Sequence, residues 1–276
     1  EGLENGDFTS GESYTIDNAA PTTTIEFPEN GGEYNEAGWA DAISGTATDE
    51  GSGIALVEVS ILDNTSTLYW DGDGFESETE VFTAATGTDA WTLAFVVANF
   101  PTDGSYTVHA RATDELGNVE AGPTATFLYD TTAPTTTIVF PEDEAAYNEA
   151  GWADAISGTA TDGTGSGVAL VEVSIFDVTA ELYWDGDGFD SETEFYIAAT
   201  GTEEWTLAFV AANFPADGSY TVHARATDEA GNVEAGPTAT FLYDTTAPTT
   251  TIVFPEDGAA YNEAGWEDAI SGTATD

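Results

Sequence analysis

In the segment YTVHARA, Tyr220, Val222, Ala224 and Ala226 fall on one face, while Thr221, His223 and Arg225 fall on the other. A period of two is the mark of a strand buried on one side, because successive side chains leave opposite faces of an extended backbone. The reading extends along the chain. Residues 135–140, 155–161, 168–176, 181–184, 204–210, 219–227 and 238–243 are runs rich in β-branched and aromatic residues, separated by clusters of Gly, Asp and Asn. Residues 197–205 are a further candidate strand, which leaves the loops after Trp184 open. No stretch carries a helical period, so the chain is predicted to be all-β.

The strands come in a repeating order. PTTTI begins at Pro21, Pro134 and Pro248, spacings of 113 and 114 residues, which is the length of a whole domain rather than of a solenoid repeat. The first two copies are roughly four-fifths identical, and their single length change turns TDEGSG into TDGTGSG. About seven short strands in such a unit predict tandem immunoglobulin-like β-sandwich domains. The expected division is 1–19 as the final strand of a preceding repeat, 20–132 and 133–246 as two repeats, and 247–276 as the first strands of another. A partial unit cannot close two sheets over one core, so we expect the chain to be a window from a longer array.

The order DTTAPTTTI, SGTATD, GSGVALVEVSI, LYWDGDGF, ATGTEEWTLAF and FPADGSYTVHARATDEAGNVE resembles a bacterial immunoglobulin-like repeat, and the resemblance covers nearly the whole chain. It implies a tandem segment of a very large secreted or cell-surface protein, acting as stalk, adhesin or fibre, and implies no catalytic activity.

Charge narrows the choice of partners. The chain has 52 Asp+Glu against 2 Lys+Arg, a formal net charge of −50, and no Cys. Such a surface repels nucleic-acid phosphates and anionic membranes, and no run of residues is apolar enough to span a bilayer. It attracts cations instead: Arg111 and Arg225 cannot balance the carboxylates, so ions must screen or bind them. Near-identical units in series point to neighbouring copies of the same repeat as partners, in a filament or array. Glycans are a further candidate partner, with one sequon at Asn64 that Val178 replaces in the second repeat.

In a sandwich of this kind the linker meets the loops after the second and sixth main strands. Those elements carry Asp130, Asp162 and Asp228; the equivalent earlier set is Asp17, Asp49 and Asp114, and the later one begins with Asp244 and Asp276. Three converging carboxylates with backbone carbonyls offer the hard oxygen ligands that Ca²⁺ takes in sixes to eights, whereas Mg²⁺ demands a tighter octahedron. The competing reading is that these acids cap turns, which Asp does without any metal. The WDGDGF loops raise the same choice for Asp71 and Asp73, and for Asp185 and Asp187 with Glu192. An EF-hand is excluded there, because its fifth, sixth and twelfth positions are Phe189, Asp190 and Tyr196.

No enzyme is expected. His109 and His223 are the only histidines, one per repeat, and each lies beside an arginine on the outward face of its strand, where attraction to nearby carboxylates accounts for both. Trp39, Trp70, Trp91, Trp152, Trp184 and Trp205 recur at matching places. Burial in a core or contact suits them better than an exposed carbohydrate platform, and for Trp39 and Trp152 we expect packing against the neighbouring domain. Tyr220, closing PADGSY, resembles the tyrosine corner of immunoglobulin-like folds.

Overall fold

The computed structural model describes residues 16–266 and 269–276. Residues 1–15, most of the segment 1–19 expected as the final strand of a preceding repeat, lie outside the described residues, and Ile16–Pro21 has no regular structure. Among the described residues, helix is confined to two 3₁₀ turns, Val97–Asn99 and Ala211–Asn213. Everything else regular is strand.

The first sandwich contains β1 (Thr22–Phe27), β2 (Glu33–Tyr34), β3 (Ala42–Thr48), β4 (Ile54–Asp63), β5 (Leu68–Trp70), β6 (Phe75–Ser77), β7 (Thr83–Ala84), β8 (Ala90–Ala94), β9 (Gly104–Asp114) and β10 (Thr124–Tyr129). One sheet has the order β1-β3-β8; the other has β2-β10-β9-β4-β5-β6, with β7 also paired to β4. All pairings are antiparallel except β2 with β10, where Glu33 and Tyr34 lie parallel to Leu128 and Tyr129. The first part of the chain thus serves both sheets, β1 in one and β2 in the other.

The second sandwich repeats this order. Its strands are β11 (Thr135–Phe140), β12 (Ala146–Tyr147), β13 (Ala155–Thr161), β14 (Val168–Asp177), β15 (Leu182–Trp184), β16 (Phe189–Ser191), β17 (Ile197–Ala198), β18 (Glu204–Ala208), β19 (Gly218–Asp228) and β20 (Thr238–Tyr243). A last antiparallel pair, β21 (Thr249–Phe254) and β22 (Ser271–Thr275), follows. By packing, the chain divides into two compact units. The first runs through Pro134 and also takes Thr161–Ala169 and Thr227–Glu234; the second holds Thr135–Ala160, Leu170–Ala226 and the residues from Ala235 on.

The predicted alternation is realised strand by strand. Along β9, Tyr106, Val108, Ala110 and Ala112 are buried, and along β8 Trp91 and Leu93 are buried between exposed neighbours. The core they build is mostly aromatic. Trp39 stacks on Phe127 with centroids 5.1 Å apart, and Phe100 on Tyr129 at 3.9 Å. Tyr106 donates its hydroxyl to the Thr102 carbonyl at 2.6 Å, and Tyr220 donates to Ala216 at 2.7 Å, which braces the turn before each long strand as the tyrosine-corner likeness implies.

The tryptophans are placed differently from expectation. Trp39 is 5% exposed within its own sandwich, and its indole N–H donates to the Phe95 carbonyl at 2.6 Å; Trp152 does the same with Phe209. A buried indole needs an acceptor, and the chain end of β8 supplies one inside the core, so these rings close their own sandwich rather than facing a neighbour. Trp70, Trp91, Trp184 and Trp205 are buried as well, which removes all six as a carbohydrate platform.

Candidate metal centre

Three strand ends, each marked by an aspartate, meet. Asp130 follows β10, Asp162 follows β13 and Asp228 closes β19; one carboxylate oxygen from each lies within 4.8 Å of the others. All three belong to the first compact unit. The earlier set, Asp17, Asp49 and Asp114, converges in the same way in that unit.

The two clusters are framed alike. Asp130 accepts from the backbone N–H of Thr132 at 3.0 Å and of Ser166 at 2.7 Å; Asp162 accepts from Gly167 at 2.7 Å and Asp228 from Asn232 at 2.7 Å. Asn232 also turns its side-chain amide onto Asp228 at 2.8 Å and onto the Asp130 carbonyl at 2.9 Å. In the earlier cluster Ala19 and Ser52 donate to Asp17, Gly53 to Asp49, and Asn118 to both Asp114 and the Asp17 carbonyl. The turn-capping role is therefore present, and it leaves lone pairs over, since each carboxylate has about four acceptor sites.

Burial makes the later cluster electrostatically tense. Asp130 and Asp228 are 1% and 2% exposed, and Oδ1 of Asp162 is sealed from solvent without a hydrogen-bond partner. Desolvation, opposed by the Gly167 N–H and reinforced by the charges of Asp130 and Asp228, pushes the Asp162 carboxyl above its ordinary value. Glu33 on β2 is pushed up as well, by desolvation first and then by Glu229 and the three aspartates. In the earlier cluster hydrogen bonds prevail. N–H groups of Ala19 and Ser52 hold Asp17 below the usual carboxylate range, and Asn118 does so for Asp114 against the effect of burial.

No arginine relieves either cluster. Arg111 is bound to Glu58 at 3.0 Å and lies over the Phe82 ring; Arg225 is bound to Glu172 at 2.8 Å and lies over Tyr196. Glycine completes both frames: a methyl group on Gly165 would sit 2.4 Å from Oδ2 of Asp162, and one on Gly51 would sit 2.1 Å from Oδ2 of Asp17. The donor set is all oxygen, which suits a hard cation such as Ca²⁺ and lacks the nitrogen or sulfur that zinc takes.

The other candidate aspartates stand apart from these groups. Asp71 accepts the N–H groups of Asp73 and Gly74, both at 3.0 Å, and Asp185 repeats this with Asp187 and Gly188. Those backbone hydrogen bonds, Gly74 and Gly188 first, hold both carboxyls below the usual range, as a turn-capping role requires. Asp73 and Asp187 are exposed beside them. Asp244 accepts from the Thr246 N–H and Asp276 is exposed; neither belongs to a group of three among the described residues. Sequence reasoning missed Glu33, Asn118 and Asn232. The two asparagines were accessible to it, each lying four residues after its aspartate in the motif ATDxxGN.

Residues 89–157 match the model of the bacterial Ig-like domain (group 3), and residues 163–245 match a bacterial Ig-like domain model. The chain is a tandem of bacterial immunoglobulin-like domains. No curated protein sequence matches it. Among solved structures, these bacterial Ig-like domains are similar to the fibronectin(III)-like modules of CbhA from Clostridium thermocellum, at 15% identity and TM-score 0.40 over 81% of this chain and 95% of that one. A 1.5-MDa bacterial ice-binding adhesin gives 15% identity and TM-score 0.40 over 87% of this chain and 69% of that one. A Ca²⁺-stabilized adhesin from an Antarctic bacterium gives 17% identity and TM-score 0.33 over 87% of this chain, which spans about half, 52%, of that one. Among the described residues, no helix is long and apolar enough to cross a membrane.

Proposed function

We propose that these domains form a structural segment of an extracellular, multi-domain fibre or adhesin stalk, and that Ca²⁺ held by Asp130, Asp162 and Asp228, and by Asp17, Asp49 and Asp114, stiffens the linker segments. The observation that carries this reading is the sealed, unpartnered Oδ1 of Asp162 among two buried carboxylates, with both arginines committed elsewhere. An isolated buried charge is costly unless paired or ligated to a metal. Asp130 is a linker residue, whereas Asp162 follows β13 and Asp228 closes β19, so one cation on all three ties the linker to those two strand ends. Family membership supports the mechanical side, since tandem Ig-like domains supply reach rather than catalysis. Neighbouring repeats or copies are the partners such a rod would have.

Thermal unfolding in dilute NaCl with and without micromolar Ca²⁺ tests the reading, with NaCl at matched ionic strength as control. A rise specific to Ca²⁺ is expected, because a ligand that binds only the folded state stabilises it by mass action. An equal rise in matched NaCl would mean that the acids serve only as a high-salt surface.

A further inference from the structure

We propose that His109 and His223 are proton clasps, each held with a proton on both ring nitrogens and each fastening two loops to the long strand of its sandwich. His109 lies on β9. Its Nδ1 is 2.7 Å from Oε1 of Glu80, in the segment between β6 and β7, and its Nε2 is 2.6 Å from the Ala121 carbonyl, in the segment between β9 and β10. The second sandwich repeats this, with His223 Nδ1 at 2.7 Å from Glu194 and Nε2 at 2.7 Å from the Ala235 carbonyl.

The proton count follows from the acceptors. A carbonyl oxygen only accepts, so Nε2 must carry a hydrogen. Glu80 is held below the usual carboxylate range: burial opposes this, but the Ser60 hydroxyl, which donates to it at 2.7 Å, and the charge of Arg111 are among the causes that outweigh it. An ionised carboxylate only accepts too, so Nδ1 must carry a hydrogen as well. A neutral imidazole has one donor and one acceptor, and would face one of these oxygens lone pair to lone pair.

The surroundings are few. Facing His109 are Glu80 and the Phe82 ring from the β6–β7 segment, Ser60 and Glu58 from β4, Arg111 from β9 itself, and Thr124 from β10. Facing His223 are Glu194, Glu172, Arg225 and Tyr196, whose hydroxyl lies 2.8 Å from Nδ1. Desolvation first, then the hydrogen bond and charge of Glu194, push that hydroxyl up to about 12, so it stays protonated.

The chain has no Cys, and both of its Lys+Arg residues are Arg. Histidine is therefore the one side-chain type in the chain whose reference range lies between those of carboxylates and phenols. Stability from the clasps is present while both ring nitrogens are protonated, and is lost as rising pH removes one proton from each. The β6–β7 segment is then released from β9.

Two measurements test this. Long-range ¹H–¹⁵N spectra of ¹⁵N-labelled protein at pH 7 should show both ring nitrogens of both histidines protonated; a bare ring nitrogen on either would overturn the proposal. Urea unfolding at pH 6 and pH 9 should show the folded-to-unfolded ratio falling about tenfold per clasp, the scale of one lost charge-assisted hydrogen bond. The H109Q/H223Q variant should lose that slope. An unchanged slope would also overturn the proposal, and if the variant does not fold, the parent's spectra decide alone.

Discussion

Replacing Gly45 or Gly158 by alanine is expected to cost its sandwich about 3 kcal/mol or more, although only one methyl group is added. Gly45 sits mid-strand in β3, between Ile25 of β1 and Trp91 of β8. A methyl there would lie 1.9 Å from the Thr24 carbonyl oxygen and 2.6 Å from Cζ2 of Trp91; on Gly158 the distances to Thr137 and Trp205 are 1.9 Å and 2.4 Å. Neither obstacle can yield cheaply. The carbonyl belongs to the neighbouring strand, and Trp91 and Trp205 are 0% and 1% exposed in a close-packed core. Gly74→Ala is the control: its nearest neighbour would be Cγ of Glu76 at 3.7 Å, ordinary contact, so a change within about 0.5 kcal/mol is expected. Urea midpoints of the three variants check this. A mild Gly45→Ala would mean that the β1 and β3 backbones can part.

Asp162→Asn is expected to act in opposite senses with and without calcium. In the calcium-free protein the Asp162 carboxyl is raised by desolvation and by Asp130 and Asp228, so its ionised form opposes folding at neutral pH. The sign follows from linkage: a raised carboxyl binds its proton more readily folded than unfolded, so its penalty disappears as pH falls through the folded value. The amide keeps the shape without the charge and should unfold no more easily than the parent. With calcium the order reverses. At a hundred times the dissociation constant the parent gains about 2.7 kcal/mol per site, and the variant forfeits this at the later cluster. Paired thermal melts with and without calcium check the crossing. Parallel shifts in both proteins would place the ion elsewhere.

How far the chain could be read depended on element length. The β9 pattern, which alternates from Ser105 to Asp114, allowed a direct reading, and so did the convergence of Asp130, Asp162 and Asp228, because in an immunoglobulin-like sandwich the linker meets the loops after the second and sixth main strands. The two-residue strands β2, β7, β12 and β17 are too short to show a period. Glu33 went unnoticed for that reason: it reaches the cluster's neighbourhood through the β2–β10 pairing, which leaves no local trace. Trp39 was misplaced because a loop tryptophan's direction is set by its hydrogen-bond partner, here the Phe95 carbonyl fifty-six positions away. Local pattern carries no such information.

Residual dipolar couplings for the two sandwiches, collected on one weakly aligned sample, test the central claim most directly. In saturating Ca²⁺ both sets should fit a single alignment tensor, and after chelation with EGTA they should require two. Separate tensors in saturating Ca²⁺ would contradict the account.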